Sequence, residues 1–157
     1  MSAILATKLG MNGPAAFDIA AACAGFCYGL AQAEALVRSG AARHVLVIGV
    51  ETLSKITDLT DRSTAFLFAD GAGAAVVGPS DVNGIGPVVW GSDGAQADVI
   101  YMTSDLLEVG RTGTPSLLHM NGQPVFRWAT GFIADAAARC LEASGLTPDQ
   151  LDVFAPH

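Results

Sequence analysis

The chain has 157 residues, a length that fits one ordinary domain; 51% are apolar and only 15% charged, so polar surface is scarce. Such a balance suits an α/β layer protein or a subunit that buries further surface against a partner. A formal net charge of −7 without any Lys/Arg cluster excludes a general nucleic-acid binder.

The chain opens with MSAILATKLG, which lacks a charged segment followed by a long apolar run, so no signal peptide is read here. Residues 15–21 read as a buried strand with Phe17 and Ile19 on one face. Residues 25–38 read as a helix, with Phe26, Leu30, Ala33 and Val37 at helical spacing and its first turns expected to be buried nearly all round. Ser39-Gly40 is its stop. HVLVIGVE, residues 44–51, is a β-branched run of the buried parallel type. Strand, helix and strand together predict a βαβ unit with a parallel sheet.

A polar loop, KITDLTDRST, leads to FLFADGAGAAVVGPS, whose glycines precede a strand at 74–77. Residues 79–84 form a turn cluster and the best internal boundary. GIGPVVWGSDG is strand-like, and 92–116 reads as an irregular polar excursion. Residues 121–144 form the clearest helix: Asn121 is a candidate cap, Pro124 lies in the first turn, and Val125, Trp128, Phe132, Ile133, Ala136, Cys140 and Leu141 make an apolar stripe. Gly145 ends it. Thr147-Pro148-Asp149-Gln150 has the pattern of a capping box, and LDVFAPH reads as a last strand ending in His157.

The longest run of apolar and small residues, 19–31, is too short to span a bilayer, and three cysteines do not make a disulfide framework. A soluble cytoplasmic protein with free thiols is expected. Cys23 stands where the first strand gives way to an apolar helix, among Ala20, Ala21, Ala22, Ala24 and Gly25. A buried cysteine is usually a small hydrophobe, but small neighbours suit a sharp elbow, and a helix N-terminus favours thiolate over thiol. Its free amides can also receive a developing oxyanion. Cys27 and Cys140 read as packing residues, since C-x-x-x-C is not a redox or metal spacing.

His157 would share the strand-end edge with Cys23, where ligands sit in open α/β sheets. The separation of about 130 residues is similar to that in papain-like proteases, but the local signature around their cysteine is absent. DGAGAAVVG is rejected as a dinucleotide loop, because Val76 replaces the third glycine and a strand follows. His44 and His119 are isolated, and no spacing suggests a metal site.

At AAACAGF, TDRSTAFLFADGAGAAVV, MNGQPVFRWA and LDVFAPH, taken together and in order, the chain resembles β-ketoacyl-acyl-carrier-protein synthase III, a thiolase-like condensing enzyme. The resemblance implies a five-layered αβαβα sandwich, with 1–82 the latter part of a first half and 83–157 the start of a second. It implies Cys23 as the acylated nucleophile and His157 as the catalytic histidine. Arg62 would stack on the adenine of coenzyme A, Phe68 line the acyl pocket, Gly122 and Phe126 flank the substrate channel, and Arg127 help dock the acidic carrier protein.

Acyl-coenzyme A and malonyl-acyl carrier protein would be substrates, with no cofactor, no metal, and a homodimer as the assembly. The family chain is about twice as long, and its later catalytic Asn has no counterpart here. An internal fragment or a chain completed by another is therefore expected, one that acylates Cys23 without condensing substrates. The rivals are a ketosynthase-III-like starter or acyltransferase of polyketide assembly and a non-catalytic scaffold fragment.

Overall fold

The computed structural model describes residues 1–157. In chain order it holds α1 (Ser2–Lys8), α2 (Gly25–Arg38), β1 (Val45–Thr52), β2 (Asp70–Val77), β3 (Ile100–Met102), α3 (Leu106–Thr112), β4 (Leu118–Met120) and α4 (Gly122–Ser144). Short 3₁₀ turns lie at Ala22–Ala24, Leu53–Lys55, Gly94–Val99 and Pro148–Gln150.

α2 has the bounds that its periodicity predicts. Its buried residues are all small: Gly29, Ala31 and Ala33. Gly29 lets the helix approach β1 closely: a Cβ there would stand 2.8 Å from Val47 Cγ1. The Phe26 ring lies over Gly49, where a Cβ would come within 3.2 Å of it. Glu34 accepts from Arg38 Nε at 2.7 Å one turn on, and Gly40, at φ +77°, takes the chain out of the helix. The first turns are not buried all round, since Phe26 and Cys27 are exposed.

β1 pairs with β2. His44 stands beside Gly78 and Glu51 beside Gly71, so the two strands run in opposite directions. The expected βαβ unit is corrected at its first member: residues 15–21 form no strand. An apolar run becomes a strand only where a neighbour completes its ladder, and no strand pairs with residues 15–21. Residues 84–93 and 151–157 likewise form no strand.

The polar excursion at 92–116 is more ordered than its sequence suggests. β3 pairs antiparallel with β4, setting Ile100 opposite Met120, Tyr101 opposite His119 and Met102 opposite Leu118. Between them, the Asp105 carboxylate caps α3 by accepting from Glu108 N–H at 2.8 Å, and Gly113 ends it at φ +71°. Strands of three residues and a helix of two turns are too short to print a readable period.

α4 carries the expected stripe, with the Trp128 and Phe132 rings stacked 4.5 Å apart. Asn121 precedes it without capping it; the side chain instead donates to the Asp98 carbonyl at 3.2 Å. Gly145 closes the helix at φ +66°, and the Thr147–Gln150 capping box forms as predicted.

Two compact units can be distinguished: Met1–Gly49 with Gly73–Val82 and His157, and Val50–Ala72 with Asn83–Pro156. The buried apolar core is small, comprising Ala31, Ala33 and Val47. Large apolar side chains stand in solvent, including Phe66 (80% exposed), Leu106 (89%), Leu107 (85%) and Val153 (75%). The accessible surface is 11729 Å². A folded monomer of this mass exposes about 7,400 Å², and even two separately folded units of the same total mass expose only about 8,900 Å².

Candidate active site

The first unit holds the candidate nucleophile. The chain runs without regular structure to Ala21, turns through Ala22–Ala24, and enters α2 at Gly25. Ala24 N–H donates to the Ala21 carbonyl at 3.0 Å and closes the turn. Cys23 is the middle residue of that turn, and its thiol is exposed. No side chain caps α2 and no acidic residue stands in its first turn. The positive end of the helix is therefore left for whatever approaches the sulfur. Five residues upstream, Asp18 accepts from the Met1 amine at 2.6 Å and from Ser2 N–H at 3.0 Å. The amine, followed by the Ser2 amide, draws its carboxyl below the usual acidity range.

His157 belongs with the first unit, the one that contains Cys23. It is exposed and lies in the irregular segment 151–157 rather than at a strand end. Cys27 is exposed too, which corrects its reading as a packing residue. Cys140 is half-buried on α4, its thiol directed at the Pro87 carbonyl at 3.6 Å.

The second unit holds the residues that the resemblance assigns to substrate. Arg62 sits in a loop pinned by its aspartates. Asp58 accepts from Thr60 N–H and Oγ1 at 2.8 and 2.7 Å, and Asp61 from Ser63 N–H and Oγ at 2.8 and 2.6 Å. The Thr60 and Ser63 hydroxyls, followed by the same residues' amides, hold both carboxyls below their ordinary range. Asp70 closes the segment, accepting from Ser54 N–H at 2.8 Å and Oγ at 2.7 Å. Between these anchors Arg62 is exposed and makes no salt bridge, and Phe68 is half-buried.

This loop is tied to the next segment by an isolated parallel bridge between Thr57 and Leu118, with Leu118 N–H donating to the Ile56 carbonyl at 2.7 Å. β4 then runs directly into α4, which carries Gly122 at its first position and Phe126 and Arg127 in the next turn. Phe126 is 70% exposed, and Arg127 is exposed without an ion pair. A Cβ on Gly122 would meet nothing closer than Met120 Cε at 3.8 Å, so packing alone does not require glycine there.

Two features had no signal in the sequence. Thr64, two residues after Arg62, is fully buried; its hydroxyl reaches no partner with hydrogen-bond geometry, though it stands near enough to Asp61 to help lower that carboxyl. An open groove of about 570 Å³ is lined by Met102, Ser104, Asp105, Leu106, Leu107 and Ser116, none of which the motifs single out. No group of three or more His, Cys, Asp or Glu side chains is placed to hold a metal ion, and no helix is long and apolar enough to cross a membrane.

The family model described as 3-oxoacyl-[acyl-carrier-protein (ACP)] synthase III matches residues 17–94. A β-ketoacyl-[acyl-carrier-protein] synthase III of Streptomyces glaucescens is 53% identical over 156 residues, covering 98% of this chain and 46% of its own length. The crystal structure of the priming β-ketosynthase from the R1128 polyketide biosynthetic pathway superposes with a TM-score of 0.95 at 47% identity, over 99% of this chain and 47% of that one. The β-ketoacyl-[acyl carrier protein] synthase III of Thermus thermophilus superposes at 0.87 with 40% identity, over 99% of this chain and 49% of that one.

The fold is that of the thiolase-like condensing enzymes. Within that class, the chain belongs to the 3-oxoacyl-[acyl-carrier-protein] synthase III family. It spans about half the length of the curated relatives it matches.

Proposed function

We propose that this chain carries the acyl-accepting centre of a β-ketoacyl-acyl-carrier-protein synthase III, an acyltransferase that starts fatty acid synthesis. The observation that carries the reading is an exposed thiol, Cys23, in the turn that opens onto an uncapped helix. In the first step the Cys23 sulfur attacks the thioester carbon of a short acyl-coenzyme A. A new carbon–sulfur bond forms, the bond to coenzyme A breaks, and coenzyme A leaves as its thiol with the proton that Cys23 gives up. α2's amides receive the charge that develops on the carbonyl oxygen.

In the second step malonyl-acyl carrier protein loses carbon dioxide, and the resulting carbanion attacks the acyl carbon and releases the Cys23 sulfur. His157 donates an N–H to the enolate oxygen, a contribution of the size typical for such donors, about 3 kcal/mol or roughly a hundredfold in rate. Arg62 takes the adenine of coenzyme A and Phe68 the acyl chain. Gly122 and Phe126 border the channel, and Arg127 meets the acidic carrier protein. Residues 1–82 supply the latter part of one thiolase-like half and 83–157 the opening of the other. The protein works in the cytoplasm, as a homodimer.

A second reading rests on a specific likeness. The priming β-ketosynthase of a polyketide pathway is 47% identical to this chain with a TM-score of 0.95, so Cys23 could equally accept a polyketide starter unit. Intact-protein mass spectrometry after incubation with a panel of acyl-coenzyme A donors tests both readings. A thioester on Cys23, absent from Cys23→Ser, supports the shared chemistry. The preferred donor and the product carried by the acyl carrier protein separate fatty acid initiation from polyketide priming. Absence of any acyl adduct with every donor refutes both.

A further inference from the structure

Ala22 is the one residue other than glycine with a positive φ, at +44°. The glycines that share this region, at positions 10, 13, 40, 113 and 145, lie in turns or just past helix ends, where the absence of a Cβ removes the strain. Ala22 has a Cβ and lies immediately before Cys23. Strained backbone of this kind persists only where its surroundings over-determine it, and it concentrates at functional sites.

The surroundings here are specific. Upstream, Ala21 lies outside both the extended and the helical regions at φ −139° and ψ 24°; downstream, Ala24 and Gly25 are already right-handed at φ −80° and −54°. The turn into the helix is thus shared by Ala21 and Ala22, and its one left-handed step falls on Ala22. The two sides cannot relax to relieve it. The Ala24–Ala21 hydrogen bond closes the turn, and Gly29 against Val47 together with Phe26 over Gly49 hold α2 to β1.

We infer that Ala22 is a positioning residue for Cys23: its left-handed backbone is the pivot that holds the sulfur at the mouth of α2. An alanine in this narrow well is fixed, whereas a glycine at the same position would also reach conformations that carry Cys23 away. The inference rests on the reading of Cys23 as the acyl acceptor, but it concerns where the sulfur is held and can be tested without a substrate.

The test uses the full protein with Ala22→Gly and Ala22→Asn. Asparagine keeps a Cβ and tolerates the left-handed region. Two rates are read: single-turnover acylation by acetyl-coenzyme A, resolved into its maximal rate and its half-saturating concentration, and alkylation of Cys23 by iodoacetamide. Ala22→Gly is expected to lower the maximal acylation rate about fivefold with the half-saturating concentration unchanged, and to slow alkylation by a similar factor. Ala22→Asn is expected to stay within twofold of the parent in both.

A purely structural role would change the melting temperature and neither rate. Parental alkylation and acylation rates in Ala22→Gly overturn the inference, and so does an equal loss in Ala22→Asn. If the parent forms no acyl adduct, the proposed function fails on its own, and the alkylation rates alone then decide whether Ala22 positions Cys23.

Discussion

Gly29→Ala tests the close seat of α2 on β1. Alanine is the better helix former by about 1 kcal/mol, which by itself favours the variant. Against this, the new Cβ would stand 2.8 Å from Val47 Cγ1, closer than nonbonded carbons allow. Val47 is buried and β-branched, so its χ1 is restricted and it gives way at a cost. Inserting a methyl group into such packing costs about 1–3 kcal/mol, so the steric term outweighs the propensity gain. A net loss of about 1 kcal/mol lowers the melting temperature by about 3 °C in a chain of this size.

Gly78→Ala is the control. Its Cβ would meet His44 Cδ2 at 2.6 Å, but that atom belongs to an exposed ring that can rotate aside, so no loss is expected. Thermal unfolding followed by circular dichroism reads both variants. Gly29→Ala melting at or above the parent temperature would show that helix and strand are not in the contact described, and the reasoning would fall.

Acid sensitivity follows from the pinned aspartates. Hydrogen bonds from the Ser54 amide and then its hydroxyl lower the Asp70 pKa, so its folded value lies beneath the unfolded one near 3.8. Stability from such a group is complete above the unfolded pKa and is lost as pH falls through the folded one. Melting temperature is thus expected to hold near neutrality and to decline below about pH 4, with Asp70→Asn less stable at pH 7 and shallower in its acid decline; a decline as steep as the parent's contradicts this. Thr64→Val removes a buried hydroxyl that reaches no partner with hydrogen-bond geometry and keeps the side-chain shape. A gain of about 1 kcal/mol in denaturant unfolding is expected, and a loss would mean that the hydroxyl is bonded.

The elements legible in the sequence were those whose causes are local. α2 is marked by its apolar spacing and its Ser39-Gly40 stop, α4 by Pro124 near its start and Gly145 past its end, and β1 by β-branched residues. Residues 15–21 misled because an apolar run reports burial, while a strand also needs a partner for its backbone. β3, α3 and β4 are too brief to show a period, and the loop bonds of Asp58 and Asp61 have no apolar pattern at all.

At the site, the exposed thiol before a helix was readable from Cys23 and its small neighbours. The pivot was not, because nothing in a run of alanines tells which one turns left-handed. Cys27 was misjudged for a related reason: apolar neighbours in the chain do not reveal that one face of a helix is open.

The uncovered side chains of this chain have a consequence for its handling and its evolution. About 2,800 Å² lies in solvent beyond what two folded units of this mass would show, an area within the range of permanent subunit contacts. Surface of that extent draws other molecules out of solution. Anything that covers this surface would raise the chain's solubility. Changes at Phe66, Leu106 or Leu107 would then be felt first as lost solubility and yield and only afterwards as lost turnover.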